Sequence, residues 1–566
     1  MKKLLSVFVV LGIILSMLSG CSYPLHSLDI PSTNNTEATE EALPTSTKDT
    51  TSPQEELSFT IEEAELKYTL KPEDFDAFEK ALADFEISAK SLTDPEEIDR
   101  LYTELEDQYD YLDEQVCISS LLYYSDLTDK DASDRYLADT KALSETDDAY
   151  FVAMRRIYNE DSAAKDIIFE DWSETEITLL QAYTEEVMQL KQRNAEIEVA
   201  YQDLQKDPDL NTKMIPLYLE LVENNNRIAQ LYGYKNYYEY AYQVGYDRDY
   251  STEQVAAMRA YVAQYLIPSM EKALTAFSES FQNMTDKEQL AMIDFEYNGF
   301  TDDDHNYLTD YLDILPRQTR NDMLSMFNGN ILLRDEVESA MENAFTTNIG
   351  PDRTVCFLGP GCSNLLTVVH EVGHYYASQH TPLLDIPLDL AEIHSQGNEW
   401  LFISFLEDRM SKDLHETIVN YKMYSDLAII IVALAVDAFE ERVYTHPDPG
   451  SLTGADLDKM MEEACLEFGG ISYIKGNITD IQSYWRMVVV EQPVYYVSYA
   501  VSAIPALDLY TVAQEDFDQA VESYVNLAEK LDVEQGFQEN LVAAGIKNPF
   551  EEEIYQQIYQ LYAQER

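Results

Sequence analysis

The sequence predicts a mostly α-helical protein, because its apolar residues recur at helical spacing and rarely alternate. Between Pro72 and Gln205, segments such as DFDAFEKALADFEISAKSL place apolar residues three and four positions apart with charges between them, as amphipathic helices do. Pro72 and Pro95 mark helix starts in that region. The clearest exception is TVCFLG around Cys356, where we expect a short strand or hairpin.

Residues 1–20 are predicted to be a lipoprotein signal peptide. Two lysines, an apolar run from Leu4 to Leu18 and small residues precede Cys21, which is typical of a secretory signal and too short for a convincing membrane-spanning helix. Residues 18–21 (LSGC) resemble the bacterial lipobox, in which the cysteine is acylated. An ordinary cleaved signal is the alternative. We therefore expect an extracytoplasmic protein that is anchored to a bacterial membrane by lipid on Cys21.

The remaining chain divides by composition. Residues 21–57 are rich in Ser, Thr, Pro and Glu and predict a disordered stalk. From residue 58 the composition is globular, with a predicted N-terminal helical region at 58–210 and a region containing the candidate site at 211–566. The apolar run LAIIIVALAVDAF from Leu427 is interrupted by Asp437, which favours a buried helix over a membrane span.

Charge and cysteine content exclude two classes of protein. The formal net charge is −67, from 105 acidic and 38 basic residues, and this argues against a nucleic-acid partner, since phosphate contacts need clustered Lys and Arg. Four cysteines remain besides Cys21, too few for a disulfide framework in a chain of this size. Cys356 and Cys362 are close enough in sequence to suggest a local pair.

The motif HEVGH at residues 370–374 points to a metal site. His370 and His374 stand at i and i+4, so on a helix both imidazoles lie on one face and can share a tetrahedral zinc ion. Glu371 between them can polarise a water molecule. Two histidines that are merely packed on a helix are the alternative interpretation.

Two segments could supply a third ligand. His380 has the spacing used by metzincin proteases, but Ala377 replaces the glycine at which those chains turn. On an unbroken helix His380 would point about 80° away from His370. The other candidates are Glu392 and Glu399 in DLAEIHSQGNEW, which share one helix face: one carboxylate can bind zinc while the other orients a ligand histidine.

These motifs resemble those of the thimet oligopeptidase and oligoendopeptidase F group of zinc oligopeptidases. Members carry HExGH followed by a segment like DFVExPSQxxENW. The resemblance is specific from about residue 364 to 510, moderate from 215 to 250 and weak from 60 to 210. The second motif is matched at Asp389, Glu392, Ser395, Gln396, Glu399 and Trp400.

The resemblance assigns roles to these residues. It implies that His370, His374 and Glu392 hold one Zn²⁺ ion and that Glu371 is the catalytic base, with Glu399 and Asp389 in supporting positions around the ligands. It also implies a large two-lobed helical fold with a deep central channel, which admits short unstructured peptides and excludes folded proteins. His394 stands where the family usually has proline, and His394 as a ligand is a further alternative.

A downstream segment extends the resemblance and contains one departure from it. PVYYVSY from Pro493 is similar to a family segment whose tyrosines donate hydrogen bonds to the developing oxyanion, and Tyr496 and Tyr499 are the best matches. Tyr495 is expected to be a packing residue. The family usually has a histidine about five residues before that proline, where this chain has Val488.

We therefore expect a zinc metalloendopeptidase that cleaves internal bonds of short unstructured peptides. A non-catalytic lipoprotein that binds peptide or metal is one alternative, which Val488 favours and Glu371 disfavours. A metzincin-like protease that uses His380 is the other.

Overall fold

The computed structural model describes residues 59–563, except 171, 205–208, 286–288, 290–301, 351–352, 469–484, 487 and 491. The predicted signal peptide, the acylated Cys21 and the stalk lie outside the described residues and stay predictions. Within the described ranges the protein is mostly helical, as predicted, and no helix there combines the length and apolarity needed to cross a membrane.

The N-terminal part is an assembly of amphipathic helices. Pro72 and Pro95 each begin a helix as predicted, and the Asp94 side chain caps the second one by accepting from the backbone N–H of Glu96. The apolar faces pack into one cluster around Phe78, Leu112 and Met154. The helices are α1 Pro72–Ala89, α2 Pro95–Tyr124, α3 Lys130–Tyr158, α4 Ala163–Ile168, α5 Glu174–Ala182 and α6 Glu185–Leu204. The boundary at residue 210 stays a prediction.

A second group of helices leads to a small sheet. Two short π-helical segments, Ala241–Gly245 and Val262–Leu266, lie among these helices. The helices are α7 Leu210–Leu231, α8 Tyr237–Tyr240, α9 Thr252–Tyr261, α10 Ile267–Asn283, α11 Asp302–Ile314 and α12 Arg317–Ser325.

The sheet is larger than the predicted hairpin. It has four strands in the order β1-β2-β4-β3: β1 Glu62–Glu63, β2 Asn328–Leu333, β3 Ala344–Asn348 and β4 Thr354–Leu358. Strands β3 and β4 form the expected antiparallel hairpin, with Thr346 opposite Cys356. The other pairs are parallel and non-local, so the period-two pattern near Cys356 could not reveal them. Cys356 and Cys362 are both free thiols.

The large core lies between the remaining helices. These are α13 Leu365–Ser378, α14 Leu388–Phe405, α15 Lys412–Tyr444, α16 Gly454–Leu466, α17 Val497–Ala513, α18 Phe517–Glu529, α19 Phe537–Ala544 and α20 Glu552–Ala563. Helix α14 is packed between α13 and α17, and α13 also contacts β3 and β4. The run from Leu427 is buried within α15, as predicted. This packing places both zinc-site motifs in the interior.

Candidate metal centre and catalytic site

Helix α13 brings the two histidines of HEVGH together. The Asn364 side chain caps the helix by accepting from the Thr367 backbone N–H at 3.0 Å, and an apolar run then buries the helix in the core. The ring centroids of His370 and His374 are 4.9 Å apart, as the i, i+4 spacing requires.

Helix α14 supplies the third side chain. Glu392 Oε2 lies 3.9 Å from His370 Nε2 and 4.0 Å from His374 Nε2. One ligand atom from each of the three residues falls within 4.8 Å of the others. Two imidazole nitrogens and one carboxylate oxygen are the donor set of a catalytic zinc site.

Gly373 allows the two helices to approach closely. A Cβ atom at this position would lie 2.3 Å from the backbone carbonyl oxygen of His394 and 2.8 Å from Cα of Ser395. The glycine of HEVGH is therefore needed for helix packing rather than for backbone freedom, and this close approach brings Glu392 to the two histidines.

The protonation states favoured at the site also suit a metal ion. Burial, and then the neighbouring His370 and His394, hold the pKa of His374 well below its usual range, so its imidazole is neutral. His370 Nδ1 lies 2.6 Å from Glu399 Oε1. A proton shared there leaves Nε2 as the nitrogen facing Glu392, and carboxylate partners of this kind commonly orient metal-binding histidines.

Glu399 is itself held by a buried chain of charged and polar groups. Its Oε2 lies 3.2 Å from Lys422 Nζ on α15, and Lys422 also pairs with Asp426 at 2.5 Å. Asp426 in turn accepts from the indole N–H of Trp400 at 2.8 Å. Burial favours the neutral acid, but Lys422 and His370 outweigh that effect and lower the pKa of Glu399. The chain keeps Glu399 ionised beside His370.

Glu371 is fully buried beside this cluster. Its Oε2 accepts from the Thr346 hydroxyl at 2.6 Å, whereas Oε1 has no hydrogen-bond partner within the described part of the chain. Burial raises the pKa of Glu371 to about 7, although His370 and Thr346 act in the opposite direction. A carboxyl group with a pKa near neutrality and one unengaged oxygen is suited to general base catalysis.

The alternative ligand His380 lies away from the cluster. Helix α13 continues without a turn to Ser378, and His380 Nε2 is 3.6 Å from Asp322 Oδ2 on α12. The helix that Ala377 permits thus carries His380 to a different neighbour.

The alternative ligand His394 is not among the side chains whose ligand atoms lie within 4.8 Å of one another in the cluster. Its Nδ1 is 3.0 Å from the Leu390 carbonyl oxygen, and burial lowers its pKa to about 4. This neutral histidine packs where the similar family has proline.

Asp389 lies at the start of α14 and contacts two buried side chains, Tyr250 and Arg248. Its Oδ2 accepts from the Tyr250 hydroxyl at 2.7 Å and is 3.8 Å from Arg248 Nε. Its carbonyl accepts from Ser502 on α17 at 2.8 Å. These contacts hold the first turn of α14 in place, whereas the contact with His370 is made by Glu399.

Arg248 also holds the turn that precedes α17. Its guanidinium donates to the Val494 carbonyl at 3.0 Å and to the Ser498 hydroxyl at 2.9 Å. The Val494 N–H donates to Glu440 Oε1 at 2.8 Å. These bonds fix Val494 at φ 65°, a conformation that is rare for a β-branched residue.

The predicted oxyanion tyrosines follow this turn. Tyr496 is buried and Tyr499 is half-buried, and their ring centroids are 5.5 Å apart. Tyr495 stacks edge-on against Tyr499 at 5.2 Å. Val488 is buried in the large core, so an apolar side chain occupies the position where the similar family usually has histidine.

Sequence analysis missed Thr346, Lys422, Asp426, Arg248 and Glu440. The only local pattern that could have indicated any of them is the Lys422–Asp426 pair, four residues apart inside a long apolar helix, where charges are costly unless paired. The others come from distant segments and have no motif of their own.

Comparison with known proteins supports this architecture. No family model and no curated protein matches the sequence. Among solved structures, a protein from Bacillus anthracis str. Ames assigned as oligoendopeptidase F aligns with a TM-score of 0.64 at 16% identity, covering 89% of this chain and 97% of that chain.

Two further structures show the same similarity. PZ peptidase A, solved with an inhibitor, aligns with a TM-score of 0.62 at 16% identity over 88% of this chain and 98% of its own. The M32 carboxypeptidase of Deinococcus radiodurans R1 aligns with a TM-score of 0.53 at 15% identity over 82% and 99%. The chain therefore has the mostly α-helical fold found in these peptidases, as the sequence resemblance implied.

Proposed function

We propose that this protein is a zinc metalloendopeptidase that hydrolyses internal bonds of short unstructured peptides. The observation that carries the proposal is the position of Glu371. Its buried carboxyl group interacts electrostatically with His370 and Glu392 of the cluster, and its Oε1 has no hydrogen-bond partner among the described residues. A protein that only binds metal has no need of a base in this place.

The residues of the cluster fit a zinc ion, because His370, His374 and Glu392 would supply two imidazole nitrogens and one carboxylate oxygen. Three protein ligands are the number that catalytic zinc sites use, with the fourth position open. A zinc ion held there supplies Lewis acidity, which lowers the pKa of water and polarises a carbonyl group.

The side chains supply the proton transfers and charge stabilisation. Glu371 accepts a proton from the attacking water through Oε1 and passes it to the leaving amine. Tyr499 and Tyr496 donate hydrogen bonds to the carbonyl oxygen as it gains negative charge. Glu399 keeps His370 oriented and Lys422 keeps Glu399 ionised, so the ligand set is fixed before substrate binds.

The test is cleavage of unstructured peptides of graded length by the purified protein, with bound zinc measured in the same samples. Glu371→Gln should lower kcat by roughly 10²–10⁴-fold, because the general base is lost, and should leave zinc bound. Peptides with amidated C-termini should still be cut, since an endopeptidase does not need a free carboxylate.

Other outcomes favour other functions. Zinc bound stoichiometrically without cleavage by the wild-type protein would favour a binding protein. Loss of cleavage on C-terminal amidation would instead indicate a carboxypeptidase, the activity named for the Deinococcus radiodurans neighbour.

A further inference from the structure

Thr346 is a buried residue on the strand that lies against the zinc-motif helix. It belongs to β3, opposite Cys356 of β4, and it is 1% exposed. Its hydroxyl group donates to Glu371 Oε2 at 2.6 Å. Helix α13 and strand β3 are thus joined through the side chain of the predicted base.

This hydrogen bond is the only one that the Glu371 carboxylate makes within the described residues. Oε1 is left without a partner there. The Cys356 thiol, which lies across the strand pair from Thr346, is only a weak hydrogen-bonding group and competes little for the Thr346 hydroxyl group. A glutamate side chain has several rotatable bonds, and holding it in one rotamer costs conformational entropy. One strong donor on Oε2 fixes the carboxylate while leaving Oε1 to accept a proton.

We propose that Thr346 is a positioning residue for Glu371, which holds the carboxylate so that Oε1 is available to the attacking water. The inference rests on the proposed function, since it assigns a role within that same site. Thr346 does not contact substrate in this proposal; it acts through Glu371 alone. Misplacement of a catalytic group by about 1 Å can cost as much as 100-fold in rate.

The next residue on the strand provides a matched control. Thr347 points to the other face of β3, because successive side chains alternate along a strand. Its hydroxyl bonds the thiol of Cys117 on α2, away from Glu371. Thr346→Val and Thr347→Val therefore make the same near-isosteric change on opposite faces of one strand.

The test compares kcat, KM and bound zinc in these variants, in Thr346→Ser and in Thr346→Ala. Thr346→Val should lower kcat by about 10–100-fold with KM and zinc content unchanged, because binding does not depend on the orientation of the base. Thr347→Val should keep kcat within about twofold. Thr346→Ser retains the hydroxyl group and should restore most of the activity.

Two results would overturn the proposal. Equal kcat values for Thr346→Val and Thr347→Val would mean that the hydrogen bond has no catalytic role. A Thr346→Ser variant as slow as Thr346→Ala would mean that the methyl group matters rather than the hydroxyl group. The serine and alanine pair carries the same comparison if the valine variant fails to fold.

A measurement that needs no activity separates this inference from the proposed function. Thr346→Val and Glu371→Met each remove the same hydrogen bond, so their effects on the unfolding temperature should be less than additive in the double variant. Fully additive effects would show that the two side chains are not coupled. If the wild-type protein cleaves no peptide, the proposed function fails, and this cycle still decides whether Thr346 holds Glu371.

Discussion

The helix pair α13–α14 and the turn at 493–496 both present candidate catalytic side chains, but they are built in different ways. In the helix pair, regular periodicity alone places His370 and His374 on one face, and Gly373 lets Glu392 approach them. The residues that meet in the cluster all belong to two short motifs. The sequence therefore identifies them, although the residues that hold Glu371 and Glu399 come from other elements.

The turn has no regular periodicity to fix it. Val494 adopts a left-handed conformation, and its carbonyl and N–H groups are bonded by Arg248 and Glu440, which come from distant parts of the chain. The bonds from Arg248 and Glu440 hold the turn from which α17 begins. They thereby position Tyr496, just before the helix, and Tyr499 in its first turn. The comparison teaches that the candidate metal ligands come from local motifs, whereas the position of the tyrosines depends on contacts with distant segments.

The largest expected effect comes from removing the proposed third zinc ligand of the helix pair. Glu392→Ala should abolish stoichiometric zinc binding, an effect beyond the 10–100-fold that supporting residues cost. His380→Ala is the matched control and should retain the metal, because His380 pairs with Asp322. Metal analysis after dialysis measures the zinc content of both variants. Loss of zinc from His380→Ala but not from Glu392→Ala would favour the metzincin-like alternative.

The role of the turn at 493–496 is tested by removing the hydroxyl group of a tyrosine that follows it, Tyr499. Tyr499→Phe should reduce kcat by roughly 10²–10³-fold, the usual cost of losing an oxyanion donor, while zinc remains bound. Tyr496→Phe should reduce kcat as well. Steady-state kinetics of these variants beside Tyr495→Phe, the expected packing residue, decides the assignment. If Tyr495→Phe were slower than both, the assignment would be wrong and Tyr495 would be the oxyanion donor.

The smallest expected effect on the candidate site also sharpens the comparison, since it concerns a distant residue that supports the helix pair. Lys422→Met leaves Glu399 and Asp426 buried without their cation, and should destabilise the fold by about 3–5 kcal/mol. Zinc affinity should fall by about 10–100-fold through His370. Chemical denaturation and zinc titration measure the two effects.

Lys412→Met is the control for this variant, because Lys412 is an exposed lysine on the same helix. It should change neither quantity appreciably. Unchanged zinc affinity in Lys422→Met would mean that Glu399 orients His370 without help from α15.

The sequence predicted much of the fold and the centre of the candidate site. Helical periodicity predicted the fold class, the prolines predicted the helix starts at Pro72 and Pro95, and the hairpin predicted near Cys356 is present. The parallel partners β1 and β2 were missed, because the period of a strand says nothing about which distant strand it joins. Cys356 and Cys362 are near in sequence, but both are free thiols.

What the sequence by itself determined is the set of candidate side chains in two short motifs: His370 and His374, which helical spacing brings to one face, with Glu371 between them in sequence, and Glu392 and Glu399 on the next helix. Tertiary structure alone decided how those side chains are held, through Thr346 on a strand and Lys422 on α15. The physical reason is that a helix turn fixes distances over four residues, whereas a buried carboxylate takes its partner from whichever segment the packed core places beside it.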